Sequence, residues 1–290
     1  MSAAISRSRN TGPVLAVGSM LSFQAATALS VPLLLAVGPV PMTWLRLSGA
    51  ALFLWLVARP ALSDRPARSL AAPVLLGAVT CGMAVFYAEA IARIPLGMAT
   101  AIEFAGPLAV AVAMSRRWLH VGWALLAGAG VALITLTGNG WSGDPMGVAF
   151  AAAAALCWAG YVLLTKHIGQ SFRGLEGLTI SLTAAALISM PFGIGQLRAE
   201  TSVWQIAASI GLGVVVPVLP YSLEMLALRR MSARAFGILM SADPALSSLM
   251  GWLILHQSLG GQKLVGIAFV VLASIGANAG VNSDRRVSCR

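Results

Sequence analysis

Apolar residues run in unbroken stretches of about 20 positions, the length of helix that crosses roughly 30 Å of hydrocarbon, and such stretches recur along the whole chain. Short breaks separate them, several carrying proline or glycine, as at Gly38-Pro39-Val40-Pro41, Pro95-Leu96-Gly97 and Gly138-Asn139-Gly140. The pattern predicts ten membrane helices: Pro13 to Leu35, Pro39 to Val57, Leu70 to Ile91, Pro95 to Ser115, Trp118 to Gly138, Asp144 to Lys166, Leu175 to Gln196, Val203 to Leu228, Ser232 to Leu255 and Gly260 to Val281. Connections this short make neighbouring spans antiparallel, and no stretch remains for a soluble domain. The expected fold is an all-α polytopic membrane protein.

Against that background the polar positions stand out. Glu103 interrupts the run from Met98 to Met114, and Pro107 follows it by one helical hydrogen-bond register. An ionisable side chain at the centre of a membrane helix costs roughly 2.5–3.5 kcal/mol on insertion scales, so it usually lines an aqueous path or has a partner. Proline has no N–H, so Pro107 also leaves the Glu103 carbonyl without its helical donor. In the ninth span Asp243 precedes Pro244, which frees the carbonyl of Met240. Each half thus sets an acid and a proline in its fourth helix; the offsets differ by three residues, close to one turn, which brings the two carboxylates to similar faces.

At a rise of about 1.5 Å per residue, Arg46 and Glu103 lie roughly 10 and 12 Å from the same face, a depth at which they can meet. Two readings stay open: a shared place on a solute path, or a structural ion pair. Gln24, Tyr87, Trp158, Tyr161 and Tyr221 offer hydrogen bonds or aromatic walls for a small-molecule cavity. Glu89 and Glu224 fall near span ends, where a carboxylate snorkels toward water.

Composition changes little in this picture and removes rivals. The 290 residues are 58% hydrophobic and 10% charged, with mean hydropathy +0.86, against about 25% charged in a typical soluble domain. The net charge of +10 suggests a nucleic-acid surface until the positions are read. With the N-terminus in the cytoplasm, Arg7, Arg9, Arg59, Arg65, Arg68, Arg116, Arg117, Lys166, Arg173, Arg229, Arg230, Arg234, Arg285, Arg286 and Arg290 fall inside, and only Arg93, Arg198 and Lys263 outside. That asymmetry is the positive-inside rule, and it predicts cytoplasmic tails at residues 1–12 and 283–290. The first span reads as a retained helix, too long for a signal peptide. Cys81, Cys157 and Cys289 have no metal-ligand or disulfide spacing, and no P-loop, HExxH or nucleophile elbow is present. We expect no cofactor, no metal and no enzymatic activity.

The second half repeats the first weakly. Leu21-Ser22-Phe23-Gln24 aligns with Leu156-Cys157-Trp158-Ala159, and Gly106-Pro107-Leu108 with Asp243-Pro244-Ala245. Five helices per unit place the second unit upside down, the usual architecture of alternating access. Stretches such as Ile94-Pro95-Leu96-Gly97, Glu103-Phe104-Ala105-Gly106-Pro107, Leu219-Pro220-Tyr221-Ser222-Leu223-Glu224 and Phe236-Gly237-Ile238-Leu239-Met240-Ser241-Ala242-Asp243-Pro244 resemble the threonine and homoserine exporters, in the EamA branch of the drug/metabolite transporter superfamily.

That resemblance implies two inverted EamA repeats, residues 13–138 and 144–282, in the inner membrane. It further implies export of a small threonine- or homoserine-like amino acid, with proton entry as the drive. On its motif the polar positions are Arg46, Tyr87, Glu103, Tyr221, Glu224 and Asp243, the last where relatives often carry Glu. The chain departs from its relatives at His256-Gln257, where they commonly show Gly-Glu, and lacks a first-helix lysine found in some of them. Glu103 is the carboxyl expected to exchange its proton for substrate. The alternatives are an exporter of another metabolite or a drug, and a non-transporting membrane protein.

Overall fold

A computed structural model describes residues 11–58, 67–113, 118–137, 140–141, 144–168, 175–228, 230, 239–240 and 242–287. The helices among them are α1 Thr11–Val37, α2 Pro39–Ala58, α3 Ala67–Ile91, α4 Leu96–Glu103, α5 Ala105–Ala113, α6 Trp118–Thr135, α7 Pro145–Ile168, α8 Glu176–Gln196, α9 Val203–Leu228, α10 Asp243–Leu255 and α11 Gly261–Val287. Between α6 and α7 the two-residue strands β1 Leu136–Thr137 and β2 Gly140–Trp141 pair antiparallel. Five helices, α1, α2, α3, α7 and α8, are long and apolar enough to cross a membrane. Leu52, Leu56, Leu156, Leu187 and Phe192 stand fully out on helix surfaces, an apolar exterior suited to lipid rather than water.

Two of the expected spans are discontinuous. The fourth is split at Phe104 into α4 and α5; beyond the break the bond from the Leu108 N–H to the Phe104 carbonyl is stretched to 3.5 Å. Pro107 is the cause, since it cannot donate to Glu103 and its ring crowds that carbonyl. In the ninth span a helix running unbroken from Ser232 is not what is found among the described residues. Leu239 and Met240 are helical, Ala242 is a turn, and α10 starts at Asp243 with Pro244 in its first turn. Proline in a helix interior collides with the carbonyl four residues earlier, whereas in the first turn its missing N–H is no loss.

The chain forms two compact units, each drawing on both halves of the sequence. One comprises Met1–Leu29, Ile94–Pro145 and Val218–Arg290, the other Ser30–Arg93 and Met146–Pro217. Within the first, α6 packs along α11 and α4 against α10; within the second, α2 and α3 pack on α8. Small residues set these approaches, as expected where lipid offers no hydrophobic drive for helix association. A Cβ on Gly130 of α6 would lie 2.6 Å from the Gly266 carbonyl oxygen of α11, and one on Gly213 of α9 would run into the backbone carbonyl of Arg46.

Candidate functional site

Both helix breaks fall in the first unit, and each carries an acid. Glu103 is the last residue of α4 and Asp243 the first of α10. Their side chains are 8% and 7% exposed, and they lie within electrostatic reach of each other. Asp243 gains from its position, because an acid in the first turn meets the positive end of the helix dipole. The tight contact of Gly97 with Ser248 holds α4 on α10. Pro107 is half-buried and Pro244 buried.

Gln24 of α1 completes the group. It is fully buried, and its side-chain amide donates to Asp243 Oδ2 at 2.9 Å. Its Oε1 accepts no hydrogen bond among the described residues. Five residues earlier on α1, the Ser19 hydroxyl donates to the Pro220 carbonyl of α9 at 2.7 Å. Two acids and a primary amide are therefore gathered away from bulk solvent, next to two interrupted helices. Such a site can hold protons or a cationic group.

The second unit holds other residues singled out from the sequence. Arg46 of α2 and Tyr87 of α3 are both half-buried, with Tyr87 in electrostatic reach of the guanidinium. Trp158 and Tyr161 are half-buried on α7. Arg46 thus belongs to one unit and Glu103 to the other. The side chains of Tyr221 and Glu224 lie outside the described residues.

Glu89 pairs with Arg93 one turn on, and the Arg93 guanidinium sits 5.0 Å from the centre of the Phe150 ring, which stacks on Phe86. Glu89 and Arg93 border a cavity of about 410 Å³ that Gln196 and Arg198 also line. Sequence reasoning passed over that cavity, because its walls come from three separate inter-helix connections.

Gln257 is a second residue whose role was hidden. Its Oε1 accepts the Leu96 N–H at 3.0 Å, satisfying one of the donors that every helix start leaves unpaired, here on the half-helix that ends in Glu103. The signal was the departure from Gly-Glu. His256, in place of the glycine, is held in the left-handed region at φ 54°.

Residues 145–279 match the model of the EamA-like transporter family. The chain is 34% identical over 279 residues to the threonine/homoserine exporter RhtA of Escherichia coli K12, covering 94% of this chain and 93% of that one. It is 33% identical over 274 residues to the exporter of the same name from Salmonella typhimurium SL1344, covering 93% and 92%. A solved crystal structure superimposes with a TM-score of 0.64 at 22% identity, over 93% of this chain and 98% of the other, which establishes a common fold.

Proposed function

The chain belongs to the EamA-like transporter family of the drug/metabolite transporter superfamily, and on that premise we propose that it exports small amino acids of the threonine and homoserine kind in exchange for protons. It works in the inner membrane with both termini in the cytoplasm, as the distribution of basic residues favours. The observation that carries the reading is the placement of Glu103 and Asp243 at the breaks of two interrupted helices, buried and within electrostatic reach of each other.

Discontinuous helices are where secondary transporters put substrate and coupling-ion sites. A buried carboxylate needs a proton or a cationic group beside it, so the two compete for the same acid. A substrate entering the same place displaces that proton, and a proton arriving from the other side displaces the substrate. Each occupancy excludes the other, which is the condition for exchange.

The two inverted repeats are part of this proposal. Helix pairing supports them: α2 packs on α8, α4 on α10 and α6 on α11, in each case a span against the one five places later. A two-fold relation between halves produces that pairing.

The test uses inverted membrane vesicles with an acid interior. Vesicles carrying this protein should accumulate labelled L-threonine or L-homoserine, and dissipating the proton gradient should stop it. Glu103→Gln should abolish gradient-driven uptake while the protein stays folded in the membrane. Undiminished uptake by Glu103→Gln would remove the coupling role. Absence of amino-acid uptake by the wild type, together with resistance to cationic compounds on overexpression, would turn the reading to drug export.

A further inference from the structure

The acceptor inventory of the first unit takes the export reading further and rests on it. The Gln24 amide is fully buried, its N–H2 group is committed to Asp243 Oδ2, and its Oε1 accepts nothing among the described residues. Reversing the amide would set its oxygen against the carboxylate, acceptor to acceptor, so the orientation is fixed by its neighbour. An unsatisfied buried acceptor is uncommon in a native interior and marks a place where a donor is wanted. Asp243, bonded to it, and Glu103, within electrostatic reach of Asp243, ask for the same thing. Asp243 and Glu103, when ionised, are acceptors only.

We propose that Gln24 Oε1, Asp243 and Glu103 form a cradle for a primary ammonium, the α-ammonium of the exported amino acid. A primary ammonium has three N–H donors and no acceptor, and the cluster supplies three acceptor groups. Its positive charge also balances a carboxylate that the interior otherwise isolates from water. Gln24 then has two tasks: its N–H2 group orients Asp243, and its oxygen takes the third donor. The site reads the amine end of the substrate, so a molecule that keeps the amine and loses the carboxylate still fits it.

The experiment measures binding to the purified full-length protein in sodium-free buffer, by titration calorimetry. The probes are L-threonine, L-threoninol, which replaces the carboxylate by a hydroxymethyl group, and 2,3-dihydroxybutyrate, which replaces the amine by a hydroxyl. L-Threoninol should compete with L-threonine for the wild type, and 2,3-dihydroxybutyrate should not. Gln24→Met should weaken L-threonine and L-threoninol by a similar factor, about tenfold, the usual size for a lost hydrogen bond to a charged group.

Competition by 2,3-dihydroxybutyrate in place of L-threoninol would overturn the cradle whatever the variant does. So would a folded Gln24→Met variant that binds L-threonine like wild type. Those results leave the export reading standing. A wild type that binds neither amine removes both.

Discussion

The Gln24 amide reaches Asp243 across 219 residues of sequence and bonds it at 2.9 Å in a buried setting. The bond ties the first helix to the start of α10, at the point where the ninth span is interrupted. It fixes the direction of the Asp243 carboxylate and leaves one amide oxygen to spare.

Removing the acceptor should therefore cost stability as well as transport. Asp243→Ala leaves the Gln24 N–H2 group buried without a partner, a loss of about 1–3 kcal/mol. Asp243→Asn retains a carbonyl oxygen for that bond and should unfold close to wild type, yet should lose export by at least about tenfold, as expected when a charge-assisted contact is removed. Thermal unfolding in detergent, followed by tryptophan fluorescence, and vesicle uptake separate the two effects.

Gly211 and Gly213 give an internal comparison on α9. A Cβ at Gly211 meets nothing within 4 Å, whereas one at Gly213 collides with the Arg46 backbone. Gly211→Ala should be neutral or stabilising by up to about 1 kcal/mol, since alanine lowers the backbone entropy lost in a helix. Gly213→Ala should cost about 1–3 kcal/mol through overpacking. Equal melting temperatures for the two variants would contradict the packing of α9 on α2.

His256 caps α10 with φ 54° and ψ 31°, a left-handed conformation that costs a side-chain-bearing residue about 1–2 kcal/mol and that glycine adopts without strain. His256→Gly should raise the melting temperature. His256→Val, with a branched Cβ in that region, should lower it.

Gln257 is the side-chain cap on the half-helix that carries Glu103. Gln257→Leu should destabilise by about 1 kcal/mol, the usual loss of a helix cap. Gln257→Glu keeps an oxygen for the Leu96 N–H, so its stability should equal or exceed wild type. Melting curves of the two variants, measured side by side, decide the point.

Composition and spacing determined the helices of this protein closely. The expected eighth span, Val203 to Leu228, coincides with α9, and the expected seventh begins one residue before α8. Membrane length and apolar content are local quantities, so a linear reading recovers them. The lost hydrogen bond to the Glu103 carbonyl was legible for the same reason, since a missing N–H acts on the carbonyl four residues back, but the split of the span at Phe104 was not. Glu103 and Asp243 announced themselves because a carboxylate in an apolar run is costly anywhere along the chain.

Tertiary structure alone decided which helices meet and which polar atoms face one another. These helices are apolar nearly all round, and lipid is as apolar as the protein interior, so no stripe of hydrophobicity marks the face that turns inward. Gln24 was legible as a hydrogen-bonding group in the first span, but its partner was not until α10 supplied Asp243. Gln257 looked like a family departure until α4 supplied the Leu96 N–H. Contacts of this kind depend on shape at single small residues such as Gly97 and Gly213, where close packing fixes rotation and register, and periodicity carries no record of it.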